Sequence, residues 1–69
     1  MIKVMKLVNS DSDSNTYRVE LFADTKSELI PEATIVGLPT GASIEMGSSC
    51  VTANAEIAFM KSDGTWNWA

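Results

Sequence analysis

Few residues of this chain are of a type and spacing that could do chemistry, and each set stops short of a complete site. Asp11, Asp13 and Asn15 alternate like the opening ligands of a calcium loop, where every second side chain of a tight turn converges on one hard cation. Such a loop needs glycine at its sixth place and a bidentate glutamate at its twelfth, but Thr16 and Phe22 stand there. The run Ser10 to Asn15 therefore reads as a solvated loop, because Ser, Asp and Asn side chains bond nearby backbone groups. Cys50 is the one cysteine, and there is no histidine to act as its base or to join it on zinc. Next to Val51 in an apolar run, it reads as a buried structural thiol. Glu45 and Glu56 could make an acid pair only if the fold brought them together, and nothing in their spacing requires that. Gly37, Gly41 and Gly47 lack the Gly-Lys-Ser/Thr sequence of a phosphate loop and read as turns. No catalytic residue, metal or cofactor is expected, and the chain reads as a non-enzyme.

The residues left to explain are the two tryptophans, Trp66 and Trp68, which fall within the last four positions of 69. They can close the core, stack on a sugar, or be buried against another chain. Sugar binding usually adds clustered polar groups, and only Asn67 stands beside them. A domain of this length buries only about 60% of the surface its unfolded chain exposes. Disulfides, a metal or association supplement such a core, and with no disulfide or zinc site available, association is the expected supplement. The net charge of −4 arises from nine acids against five scattered bases, a pattern that argues against a phosphate-backbone partner. Lys6 interrupts the apolar start, and no stretch approaches the length of a membrane span. No nucleic acid and no membrane are expected as partners.

Positioning these residues falls to short strands. Ile2 to Val8 is β-rich, with Ile2, Val4 and Val8 on one side and Met5 and Leu7 on the other, which predicts a central or doubly covered strand. Tyr17 to Ala23 alternates, with Tyr17, Val19, Leu21 and Ala23 facing one way, as a half-buried strand does. The two should pair as a hairpin with a long loop. Thr25 to Glu28 matches a capping box, but Pro31 limits any helix to about one turn. Ala33 to Leu38 and Ser43 to Met46 are short extended pieces around a turn at Pro39 to Gly41. Ser49 to Thr52 and Glu56 to Met60 are strands separated by Ala53 to Ala55. The whole predicts one all-β domain over residues 1–69: a small antiparallel meander, barrel or sandwich of about six short strands ending in a β-hairpin.

The terminal turn, Lys61-Ser-Asp-Gly64, admits two registers. A two-residue turn would put Ile57, Phe59 and both indoles on one face. A type I turn with Gly64 left-handed in a bulge pairs Met60 with Trp66 and Ala58 with Trp68, leaving Ile57 and Phe59 on the other side. Asp-Gly at the third and fourth turn positions favours the bulge. Ile57, Phe59, Met60, Trp66 and Trp68 are the interface candidates.

Gly47-Ser48, a short strand with Thr52, and then Glu56-Ile-Ala-Phe-Met-Lys-Ser-Asp-Gly-Thr-Trp66 together resemble a segment of small proteins encoded among the structural genes of tailed bacteriophages and prophages. Lys6-Leu-Val, through Tyr17-Arg-Val-Glu-Leu-Phe-Ala-Asp-Thr-Lys26, is similar to the opening of the same kind of protein. The resemblance covers about half the chain and brings no catalytic residues. It implies a virion structural protein, an auxiliary capsid or head-fibre-type component or a small tail or neck module; synthesis in the host cytoplasm is expected from the apolar start that Lys6 interrupts and from the lone thiol. Its implied partners are other virion proteins of the capsid, fibre or tail; self-association into a homo-oligomer is expected separately, from the short chain and its late tryptophans. A rival reading is a small soluble adaptor or inhibitor that binds a host protein or glycan.

Overall fold

The computed structural model describes residues 1–11, 13–30 and 33–69, with residues 9–11 described by backbone alone. Among the described residues the chain is all-β, with seven strands in one mixed, open sheet. These are β1 (Ile2–Asp11), β2 (Thr16–Ala23), β3 (Ile35–Val36), β4 (Ser43–Ile44), β5 (Ser49–Thr52), β6 (Ile57–Met60) and β7 (Trp66–Trp68). The spatial order is β3-β1-β2-β5-β6-β7, with β4 also paired to β2. Adjacent strands joined by short turns, β1/β2, β5/β6 and β6/β7, pair antiparallel. The pairings β1/β3, β2/β4 and β2/β5 are parallel, so the sheet is neither a pure meander nor a closed barrel. Among the described residues no helix is long and apolar enough to cross a membrane.

The parallel pairs follow from the crossover that leaves β2 at Ala23 and returns at Ser49. It opens with a 3-10 turn at Lys26–Glu28, where Glu28 Oε1 accepts the Thr25 N–H at 2.9 Å, as the capping-box pattern predicts. Pro31, expected to stop that turn, lies outside the described residues. The Met1 amino group ties the start of β1 to this turn by donating to Asp24 at 2.8 Å and to Glu28. Leu29, Ala33, Ile35, Leu38 and Ile44 then pack from the crossover onto the core. That core is Ile2, Val19, Leu21, Ala23 and Cys50, all buried. The alternation read over Tyr17 to Ala23 is therefore the core face of β2. Among the described residues nothing covers the opposite face of the sheet in this way.

Strand β1 departs from expectation. Met5 and Val8 are extra residues relative to β2, and the register shifts at each. Each extra residue inverts the alternation, so Val4 lies opposite Leu21 and Leu7 opposite Val19, three positions apart rather than two. The strand is not doubly covered: Met5, Leu7 and Val8 are all exposed. The β1/β2 ladder also runs on to Asp11 and Thr16, which shortens the loop expected over Ser10 to Asn15. The alternating spacing of Asp11, Asp13 and Asn15 depends on the Asp11 side chain, which lies outside the described residues.

Between β4 and β5 the backbone swings away from β2 and back. Glu45 N–H still bonds the Tyr17 carbonyl at 2.8 Å, but Gly47 N–H turns to the Met60 carbonyl at 3.1 Å. Gly47 has φ +89, and a Cβ there would stand 3.3 Å from Arg18 Nε, so both backbone conformation and close approach call for glycine. The swing leaves Val19 N–H without a backbone partner on this side. The hydroxyl of Ser48, a fully buried residue, accepts it at 3.0 Å. Ser48→Ala would strand that buried N–H and is expected to lower stability by about 1–2 kcal/mol. The checks are a fall in the urea midpoint and faster hydrogen exchange at the Val19 amide. An unchanged midpoint would mean that water replaces the hydroxyl.

Candidate functional site

The terminal hairpin adopts the bulged register. Gly64 has φ +85, its N–H bonds the Lys61 carbonyl at 3.1 Å, and Lys61 N–H bonds the Thr65 carbonyl at 2.9 Å. Met60 lies opposite Trp66, Phe59 opposite Asn67 and Ala58 opposite Trp68. The turn is fixed by Asp63, whose Oδ1 accepts both the Thr65 hydroxyl at 2.7 Å and the Thr65 N–H at 3.0 Å. The hydroxyl bond first, and the N–H bond second, hold the Asp63 carboxyl below its ordinary value. A carboxyl depressed in the folded state stabilises above its unfolded value, and that contribution is lost as pH falls through the folded one. Acidification from neutral is therefore expected to lower the thermal midpoint below about pH 4. Asp63→Asn should show a shallower fall, and equal slopes for the two proteins would remove Asp63 from the account.

The hairpin divides the five interface candidates between two surfaces. Ile57 and Phe59 point to the uncovered face and are 43% and 49% exposed. Strand pairing places Phe22, Val51 and Ile57 in one row across β2, β5 and β6, with Phe59 in the next row between Ser49 and Asn67. Sequence reasoning missed Phe22 and Val51 as parts of this strip, because only the parallel β2/β5 register brings them beside Ile57. The same rows continue onto β1 at Lys3, opposite Phe22, and Lys6, opposite Glu20. Arg18 follows on the same face, with its Nη2 3.6 Å from Glu45 Oε1. The open face is thus apolar toward the hairpin and charged toward β1, where Lys3, Lys6 and Arg18 stand beside Glu20 and Glu45.

Met60, Trp66 and Trp68 belong to the covered side. Met60 is buried, Trp66 packs against the core cluster, and both indoles are half-buried. They form one wall of a cleft of about 800 Å³, whose other wall is the crossover at Leu29, Ile30, Leu38 and Ile44. Lys26 Nζ stands 5.1 Å from the centroid of the Trp68 ring, a cation–π contact.

The remaining candidates are structural. Cys50 is fully buried opposite Leu21, and burial first, then the Glu28 charge, pushes its thiol up, away from the reactive thiolate. Glu45 and Glu56 have separate roles, since Glu45 faces Arg18 while Glu56 Oε1 accepts the Thr52 hydroxyl at 3.2 Å. That hydroxyl in turn accepts the Asn54 and Glu56 N–H groups and so organises the β5/β6 turn. Among the described residues no group of three or more His, Cys, Asp or Glu is placed to hold a metal ion. Compared with known protein families, with characterised proteins and with solved structures, the chain matches none.

Proposed function

We propose that this chain is a non-enzymatic structural protein of a tailed-bacteriophage particle, an auxiliary capsid or head-fibre-type component that works by docking on a neighbouring virion protein. The observation that carries the docking is the uncovered strip of Phe22, Val51, Ile57 and Phe59. An antiparallel sheet can leave one face to water, but that face is then ordinarily polar. Here it places adjoining apolar side chains on a domain too small to bury much elsewhere. Lys3, Lys6 and Glu20 border the strip, with Arg18 paired to Glu45 beyond them, so the neighbour it fits is apolar at its centre and polar, of both signs of charge, at its rim. The placement in a virion draws on the likeness of the terminal hairpin and of the β2 stretch to small phage structural proteins.

Quantitative mass spectrometry of purified particles tests the reading. The chain is expected in a fixed stoichiometric amount, and Ile57→Ser with Phe59→Ser should remove it from particles while the isolated domain stays folded. Absence of the wild-type chain from particles, with capture of one host protein or glycan instead, would replace this reading with an adaptor.

A further inference from the structure

The two edges of the sheet are built differently. The outer edge of β1 beyond the short β3 contains both register shifts and Lys6, features that keep an edge from pairing with another chain. The outer edge of β7 has neither a bulge nor a proline nor a charged residue: it reads Trp66-Asn67-Trp68 and lies at the end of the strand order.

The backbone of that edge is oriented for pairing. In an antiparallel ladder hydrogen bonds fall at alternate pairs. Lys61 N–H bonds the Thr65 carbonyl and Ala69 N–H bonds the Ile57 carbonyl, so the bonded pairs are 61/65, 59/67 and 57/69. Asn67 spends its backbone groups on β6. Trp66 and Trp68 direct theirs outward, away from the sheet.

We infer that β7 pairs with β7 of a second copy, antiparallel, about a two-fold axis through Asn67. The sequence of the edge is the same read in either direction, so this register places Trp66 opposite Trp68 of the second copy, and each such pair exchanges both backbone hydrogen bonds. The indoles then meet across the junction on the covered side, an aromatic cross-strand pair. The Asn67 amides meet on the open side, where each can donate to the other. Residues 64–69 contain no Asp, Glu, Lys or Arg side chain despite the net charge of −4, so the strand itself brings no like charges together, and Lys26 stands over the Trp68 ring beside the junction. The pairing also extends the Phe59 strip of one copy toward that of the other, giving the docking face described above twice the width. It takes from that reading only that the domain assembles, and it fails separately from it.

A contact this short buries less than a standard interface, so the dimer is expected to be weak, with a dissociation constant on the order of 10–100 µM. Sedimentation equilibrium of the full chain from about 5 µM to 1 mM should show monomer passing to dimer, with nothing larger. Hydrogen exchange identifies the edge: the Trp66 and Trp68 amides should exchange quickly in dilute solution and slowly in concentrated solution, with the Asn67 amide protected in both. Asn67→Lys, which sets two ammonium groups face to face at the axis, should weaken the dimer about 100-fold and leave the folded spectrum intact. Phe59→Ser should leave the dimer in place even where it removes the chain from particles. A chain monomeric at every concentration overturns the pairing. So does a dimer that Phe59→Ser abolishes while the Trp66 and Trp68 amides stay unprotected, since the open face would then be its interface.

Discussion

Leu21→Ala is expected to leave about half of the molecules unfolded at room temperature. Leu21 is almost fully buried at the centre of the core, between Val4 on β1 and Cys50 on β5. Truncating a buried leucine costs about 3–4 kcal/mol, because the lost transfer energy is joined by that of the cavity left behind. A core of this size rarely supplies more than about 3–5 kcal/mol of net stability, so one substitution consumes nearly all of it. The buried Cys50 thiol gives the readout. It should resist a thiol reagent in the native chain and react at nearly the rate of a free thiol in the variant. Leu21→Met, which keeps the volume, should lose less than about 1.5 kcal/mol. Slow labelling of the alanine variant would mean that the crossover collapses into the cavity.

Trp66→Ala and Phe59→Ala should separate the two sides of the sheet. The Trp66 ring packs on the core cluster, and its removal is expected to cost about 2–3 kcal/mol, somewhat below the loss for a fully buried aromatic. Phe59 is half exposed, and its removal should cost less than about 1 kcal/mol. The order should invert for assembly, where Phe59→Ala reduces incorporation into particles about tenfold through loss of an aromatic anchor. Urea midpoints and particle content, measured on the same two variants, make the comparison. A larger fall in midpoint for Phe59→Ala would show that the open face, rather than the covered one, completes the fold.

The parts of this structure that local chemistry determines could be read from the sequence. Alternation over Tyr17 to Ala23 identified the buried face of β2, and Asp63-Gly64 selected the bulged turn and with it the faces of Ile57, Phe59, Met60, Trp66 and Trp68. Features set by distant pairing could not be read. The apolar residues of β1 occur at both parities, so the extra residues Met5 and Val8 leave no mark in the pattern, and the core position of Val4 beside an exposed Met5 emerges only from the ladder. Nor does anything in Phe22 or Val51 alone announce the parallel register that puts them side by side. The charged border of Lys3, Lys6, Glu20 and Arg18 is not legible for the same reason: charges scattered in sequence gather on one face only after the strands pair.

The parallel ladder between β2 and β5 also bears on how quickly the chain folds. Residues 2–23 and 49–68 can each form by local turns, the kind of step that takes microseconds. Joining them means closing a loop of about 25 residues before the Leu21–Cys50 contact repays the lost chain entropy, so this seam sets the folding barrier. Cleavage between Thr40 and Gly41 would leave both halves whole as peptides. The rate at which they recombine would then depend on concentration, and a substitution at Leu21 should slow that step far more than one at Asp63.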